Sequence, residues 1–215
     1  MSYNFQREMS LSNIDLIVLG ILTETPMSAY ELTQYITDRQ VSSFLKISDP
    51  AIYKSCKRLS QEGFLDGKLG KEGKSPKKTI YTINPEGQTR FHELMKFYSG
   101  NTNQWHLEFN AFMWHIEKLG KKEGMFMLKD LAERLRTKKT MLKKHLVDLT
   151  PYIPFSARTI LRQYTMVTTT MVIWVDETIE EYEKLRSPGK KKFDVPEVIR
   201  INEEIKTSRK IKETK

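Results

Sequence analysis

Ile14, Ile17, Val18, Ile21 and Leu22 recur at the spacing of one helix face, and Ser12-Asn13-Ile14-Asp15 ahead of them has the form of a capping box. This predicts a strongly apolar first helix ending near Thr25-Pro26. Ser28-Ala29-Tyr30-Glu31 repeats the capping form before Leu32, Tyr35 and Ile36, predicting a short second helix to about Arg39. A connection over 40–47 follows. Asp49-Pro50 reads as an N-cap with proline at the first helical position, where its missing N–H has no intrahelical partner to lose. In the helix so begun, Ile52, Cys56 and Leu59 form a buried stripe, while Ala51, Lys54, Lys57, Arg58 and Gln61 occupy the opposite face and Tyr53 the flank. Gly63 suits a left-handed cap and Phe64 the apolar contact after it. The pattern then changes to short extended runs: a strand over 64–69, a turn-rich tip over 70–76, and a second strand over 77–83 with Thr79, Tyr81 and Ile83 on one face. Asn84-Pro85-Glu86 opens a fourth helix striped by Phe91, Leu94, Met95 and Tyr98.

A polar break over 99–103 separates this half from a wholly helical one. Trp105, Phe109, Phe112, Met113 and Ile116 predict one helix up to Leu119-Gly120. Met125, Leu128, Leu131, Leu135, Leu142, Leu146 and Leu149 predict a long one from about Lys121, stopped by Pro151 and Pro154. Leu161, Tyr164, Thr168, Met171, Val175, Thr178, Tyr182 and Leu185 alternate by three and four, nearly four heptads from about Ser156 to Arg186. After Ser187-Pro188-Gly189 the chain is charged, with modest periodicity in Val195, Val198, Ile199, Ile201 and Ile205; a floppy basic tail is the plainer reading and a short helix the other.

Charge sharpens this outline. The chain has 36 basic and 27 acidic side chains, net +9, but residues 1–53 are net −3 and residues 54–90 net +5. The basic segment is the third helix plus the ribbon. A basic surface points to a polyanion, nucleic acid before membrane. Three helices, a two-stranded ribbon and a fourth helix make a winged helix-turn-helix, and a helix about 10–12 Å across fits the roughly 12 Å major groove. The expected fold is therefore mainly α (α+β): a winged helix-turn-helix over 1–98, a helical dimerisation domain over 99–186, and a basic tail over 187–215.

Residues 52–65, Ile-Tyr-Lys-Ser-Cys-Lys-Arg-Leu-Ser-Gln-Glu-Gly-Phe-Leu, resemble the recognition helix of PadR-family transcriptional regulators. Residues 77–87 resemble that family's second wing strand and following turn, and Leu16–Leu22 with Ser28–Leu32 its first two helices. The helical half is similar in layout to longer members with a C-terminal domain like that of the virulence activator AphA. The resemblance implies a homodimeric regulator, a repressor first, binding palindromic double-stranded DNA and in some members relieved by a small aromatic effector.

The candidate DNA contacts are Ser48, Ala51, Tyr53, Lys54, Lys57 and Arg58 on the third helix and Lys74, Lys77, Lys78 and Tyr81 on the wing. Tyr53 and Tyr81 have two readings, packing under the ribbon or reaching a phosphate; the resemblance implies a DNA-proximal role for both. Tyr98, Trp105, Phe109 and Phe112 are candidates for an effector pocket, against interdomain packing as the plainer alternative. Tyr164, Met171, Trp174 and Tyr182 are candidates for the dimer interface, against a monomeric core.

Other chemistry finds little support. The four histidines have no metal-ligand spacing, and no glycine loop cradles a phosphate, so neither a cofactor, a metal nor catalysis is expected. Cys56, beside Lys57 and Arg58, invites a redox switch, but its stripe makes it a small core residue. One cysteine excludes an intrachain disulfide, and the longest apolar run, Leu16–Leu22, is far short of the roughly 18 residues a bilayer needs. With no basic-then-apolar leader in its first residues, a cytoplasmic protein is expected. The alternative function is a protein-interaction scaffold built on a winged helix, which would show neither steep salt dependence nor a preferred palindrome.

Overall fold

The computed structural model describes residues 12–70, 78–102, 106–185 and 194–213. The chain divides into two compact units, residues 1–104 and 105–215.

In the first unit, α1 (Asn13–Leu22), α2 (Ala29–Asp38) and α3 (Asp49–Gln61) pack around a core of Val18, Leu19, Leu32, Ile52, Leu59 and Leu94, the last from α4 (Pro85–Ser99). All six are essentially buried. Burying each such side chain is worth about 1.5–3 kcal/mol against leaving it in water, which is what holds these short helices together. The ribbon is β2 (Leu65–Gly70) paired antiparallel with β3 (Lys78–Ile83), in register from Leu65 opposite Ile83 to Gly70 opposite Lys78. A third strand, β1 (Met27–Ser28), was not expected; it pairs with the far edge of β3, giving the order β1-β3-β2. Two residues are too few for an alternation to show.

Local chemistry fixes the joints. The Ser28 capping box forms as expected: its hydroxyl accepts from the Glu31 N–H at 3.3 Å, and the Glu31 carboxylate accepts from the Ser28 N–H at 2.8 Å. Gly63 is left-handed at φ +83°, as its cap position demanded. Asn84 caps α4 by accepting from the Gly87 N–H at 2.9 Å, while its amide donates to the Gly63 carbonyl, also at 2.9 Å. Gly87 sits where a Cβ would lie 2.1 Å from the Phe64 carbonyl oxygen, so only glycine lets α4 approach the ribbon this closely.

Three expectations are corrected. Ser12 occupies the N-cap of α1 but its hydroxyl makes no cap bond: the Asp15 N–H donates to the Ser12 carbonyl at 3.1 Å, and the Asp15 carboxylate is used elsewhere. Ser48, not Asp49, is the N-cap residue of α3, and Pro50 follows inside its first turn. Met95, counted in the α4 stripe, is about half exposed; Gly87, Arg90 and Leu94 are that helix's buried residues.

The second unit is helical. The single helix expected over 105–119 is broken: α5 (Asn110–His115) is short and runs into a 3-10 turn at Ile116–Lys118. α6 (Lys121–Leu149) and α7 (Phe155–Lys184) follow as expected, joined across Pro151 and Pro154. They are antiparallel: the Lys121 ammonium at the start of α6 donates to the carbonyls of Glu183 and Leu185 at the end of α7, at 2.7 and 2.6 Å. Ala132, Leu135, Val172 and Val175 form one small core between them, and Leu128, Tyr182 and Ile116 a second. The threonines of α7 are accommodated by back-bonding: Thr165 to the Leu161 carbonyl at 2.8 Å, Thr178 to that of Trp174 at 2.7 Å. α8 (Val195–Glu213) is helical, so the irregular-tail reading does not hold over this segment. No described helix is long and apolar enough to cross a membrane.

Candidate nucleic-acid interface

α3 presents two faces. Ile52, Ser55, Cys56 and Leu59 are buried against the core. Tyr53, Lys54, Lys57 and Gln61 are exposed, with Ser48 exposed at the N-terminus and Ala51 half-buried. Tyr53 is 47% exposed, leaving a ring and a hydroxyl available to a groove or a phosphate. Lys54 and Lys57 lie about one turn apart, and neither is drawn into an ion pair among the described residues. Tyr53, Lys54 and Lys57 thus share the exposed side of α3, with Ser48 exposed at its N-terminus, and Lys68 of the neighbouring β2 is also exposed.

Arg58 behaves differently. Its guanidinium donates to the Asp15 carboxylate of α1 and lies 3.4 Å from Glu62. Asp15 is 1% exposed and also accepts from the Ser55 hydroxyl at 2.6 Å. Burial pulls the Arg58 pKa down, but the hydrogen bond and charge of Asp15 outweigh it, so the net shift is upward. Sequence reasoning missed Asp15 and Ser55. The signal was present, since Asp15 shares a buried arc with Val18, Leu19 and Leu22, but the capping pattern masked it.

The wing cations also divide. Lys74 and Lys77 lie outside the described residues. Lys78 donates to Glu31 at 2.8 Å, tying the base of β3 to the first turn of α2. That bond, with the Ser28 N–H and hydroxyl, holds the Glu31 carboxyl down at about 2. Tyr81 packs against the first unit's core, and burial raises its pKa. Cys56 is fully buried, and desolvation pushes its thiol up to about 12, which removes the thiolate a redox switch would need.

The effector and interface candidates are redistributed. Tyr98 packs on the first unit's core; Trp105 lies outside the described residues. Phe109 stacks on Trp174 at 5.5 Å between ring centroids, and Phe112 packs on the Ile116–Leu128–Tyr182 cluster. Phe109 and Phe112 thus meet different partners within the second unit. A cavity of about 340 Å³ lies within that unit, lined by Leu107, Lys138, Gln163, Tyr164, Val167 and Met171. Tyr182, expected at a dimer interface, is 4% exposed within its own chain's core and has no surface to offer. Tyr164 and Met171 instead border the cavity, and Trp174 is half-buried beneath Phe109. Among the described residues no cluster of histidine, cysteine or acidic side chains could hold a metal ion.

Fold and surface together define a winged-helix unit with a basic outer face and a separate helical unit. Residues 18–93 match the Transcriptional regulator PadR-like family. A curated relative, the negative transcriptional regulator PadR of Bacillus subtilis, is 24% identical over 121 residues, 56% of this chain and 66% of that one. The match thus spans a little under two thirds of that relative's length. Crystal structures of Bacillus subtilis PadR, one with operator DNA and one with p-coumaric acid, each superpose with a TM-score of 0.67 at 19% identity, over 80% of this chain and 99% of that one. The Vibrio cholerae virulence activator AphA superposes with a TM-score of 0.58 at 17% identity, over 80% and 98%. The resemblance read from the third helix and ribbon is borne out: the chain carries a PadR-like domain, and four fifths of it shares the fold of PadR and AphA.

Proposed function

We propose that this protein is a sequence-specific DNA-binding transcriptional regulator, a cytoplasmic repressor without catalytic activity, acting as a homodimer on a palindromic operator. The observation that carries the reading is the exposed Tyr53, Lys54, Lys57 face of α3, set against a basic ribbon on a PadR-like domain. Lysines facing phosphates supply salt-dependent affinity, and α3 in the major groove reads base edges. One α3 reads only a few base pairs; two, about 34 Å apart on a two-fold axis, read a palindrome. Dimerisation is supported by the second unit, whose small cores leave Phe126, Val147, Met166 and Ile173 exposed on α6 and α7.

A small aromatic ligand relieves repression in this reading, as the solved PadR complex with p-coumaric acid suggests. The α6–α7 cavity suits such a ligand in size, with apolar walls from Leu107, Val167 and Met171 and polar groups from Lys138, Gln163 and Tyr164.

The test is titration of a labelled DNA fragment from directly upstream of the protein's coding region against its scramble, at several salt concentrations. Tight, salt-sensitive binding with strong preference for the genuine fragment is expected. Binding that is weak, flat with salt and equal on both, repeated with a random duplex library, would instead support the scaffold reading.

A further inference from the structure

The basic face of α3 has one member that does not face outward. Arg58 follows Lys57 directly, yet its side chain is 27% exposed and turned back onto α1, held by Asp15 with Glu62 alongside. Two carboxylates thus flank one guanidinium. Asp15 itself is 1% exposed on the apolar side of α1.

A buried carboxylate is a poor device for stability. Replacing a buried ion pair by apolar groups of similar volume is often neutral or stabilising, because desolvation offsets the attraction. What the arrangement supplies is direction. The Ile52, Cys56 and Leu59 stripe makes non-directional contacts that tolerate small rotations of α3 about its axis. Ser55 and Arg58, three residues apart on one side of α3, both converge on Asp15, and their hydrogen bonds resist such rotation. The leverage is large: side-chain tips about 5–6 Å from a helix axis move about 1 Å for a rotation of about 10°. That is enough to break a bidentate contact with a base edge.

We infer that Asp15 is a specificity-determining positioning residue for DNA reading: through Ser55 and Arg58 it locks the rotation of α3 and withdraws the Arg58 charge from the nucleic acid. The inference rests on the reading of α3 as the DNA-reading helix. Arg58 is then a structural cation, and Tyr53, Lys54 and Lys57 form the reading set.

The test uses the full chain and two measurements: selection from a random duplex library, and the salt dependence of binding to one fixed duplex of arbitrary sequence. The wild type selects a palindrome. Asp15→Asn is expected to lower the preference for that palindrome over the arbitrary duplex by about tenfold or more, the scale of one lost bidentate base contact. It also frees Arg58 for a phosphate, so the salt slope on the arbitrary duplex steepens by about 0.9. In Asp15→Asn/Arg58→Met the slope returns to the wild-type value while the preference stays low, a pattern that a purely structural role for Asp15 would not produce. Should Asp15→Asn fail to fold, Ser55→Ala decides: it removes one of the two orienting bonds but no charge, so the preference falls with no change of slope. Variants that select the same palindrome with unchanged preference and slope overturn the inference alone. A wild type that selects no motif overturns the regulator reading and this inference with it.

Discussion

Replacing both Lys54 and Lys57 by alanine tests the surface on which the functional reading stands. Both side chains are exposed and lie about one turn apart on α3, with no ion pair among the described residues to break. Alanine is at least as good a helix former as lysine, so the thermal midpoint should not fall. If each lysine neutralises one phosphate, each contributes about 0.9 to the slope of log affinity against log salt, and the double variant loses about 1.8. At about 0.1 M salt that is a roughly 60-fold weakening, or about 2.5 kcal/mol, on any duplex. If a lysine reaches a base edge instead, the loss is confined to the operator, at about 1–3 kcal/mol per contact, with a smaller change of slope. Fluorescence anisotropy on operator and scrambled duplexes at four or more salt concentrations separates the two. Unchanged affinity and slope on both would refute the placement of α3 at the DNA.

Three further outcomes follow from buried and paired groups. The Tyr182 hydroxyl is buried without a hydrogen-bond partner among the described residues, so Tyr182→Phe should raise stability by about 1 kcal/mol in chemical denaturation, and a loss would reveal an interaction the hydroxyl makes. The Cys56 thiol, pushed up to about 12, should resist thiol reagents at pH 8 in the folded protein and react on unfolding; its contribution to stability is present below its unfolded value of 9.0 and lost as pH rises from there toward about 12, and a rapid native reaction would refute its burial. Glu31, held down at about 2, contributes stability above its unfolded value of 4.5 that is lost as pH falls from 4.5 toward about 2; Glu31→Gln should flatten the acid limb of midpoint against pH, and an unchanged limb would mean that Lys78 and Ser28 do not hold it in solution.

The winged unit was legible, apart from the two-residue β1, because its helices and ribbon are signalled within a few residues. The Ser28–Glu31 box, the left-handed Gly63, the Asn84 cap and the Ile52, Cys56, Leu59 stripe are local patterns, and each folds as read. The long helices α6 and α7 were legible for the same reason, the end of the one and the start of the other marked by Pro151 and Pro154. Where local signals competed, the reading failed. The apolar spacing through 105–119 suggested one helix, but the chain breaks into α5 and a 3-10 turn whose Ile116 is buried with Leu128 of α6 and Tyr182 of α7. The Tyr182 heptad position was correct, but a heptad stripe is satisfied equally by a helix of the same chain or of another copy.

Charge shows the same division. Composition and order along the chain place the cations on α3 and the ribbon, and that much follows from residues 54–90 alone. Which of those cations face outward depends on partners far away in sequence: Arg58 meets Asp15 across 43 positions and Lys78 meets Glu31 across 47. Helix and turn patterns arise from interactions a few residues apart and so leave a trace in the local order of residue types. An ion pair between elements requires only that folding bring two surfaces together, so no periodicity near Arg58 or Lys78 records it, and the packing of α1 on α3 and of α2 on β3 separates the lysines left exposed from the cations paired within the fold.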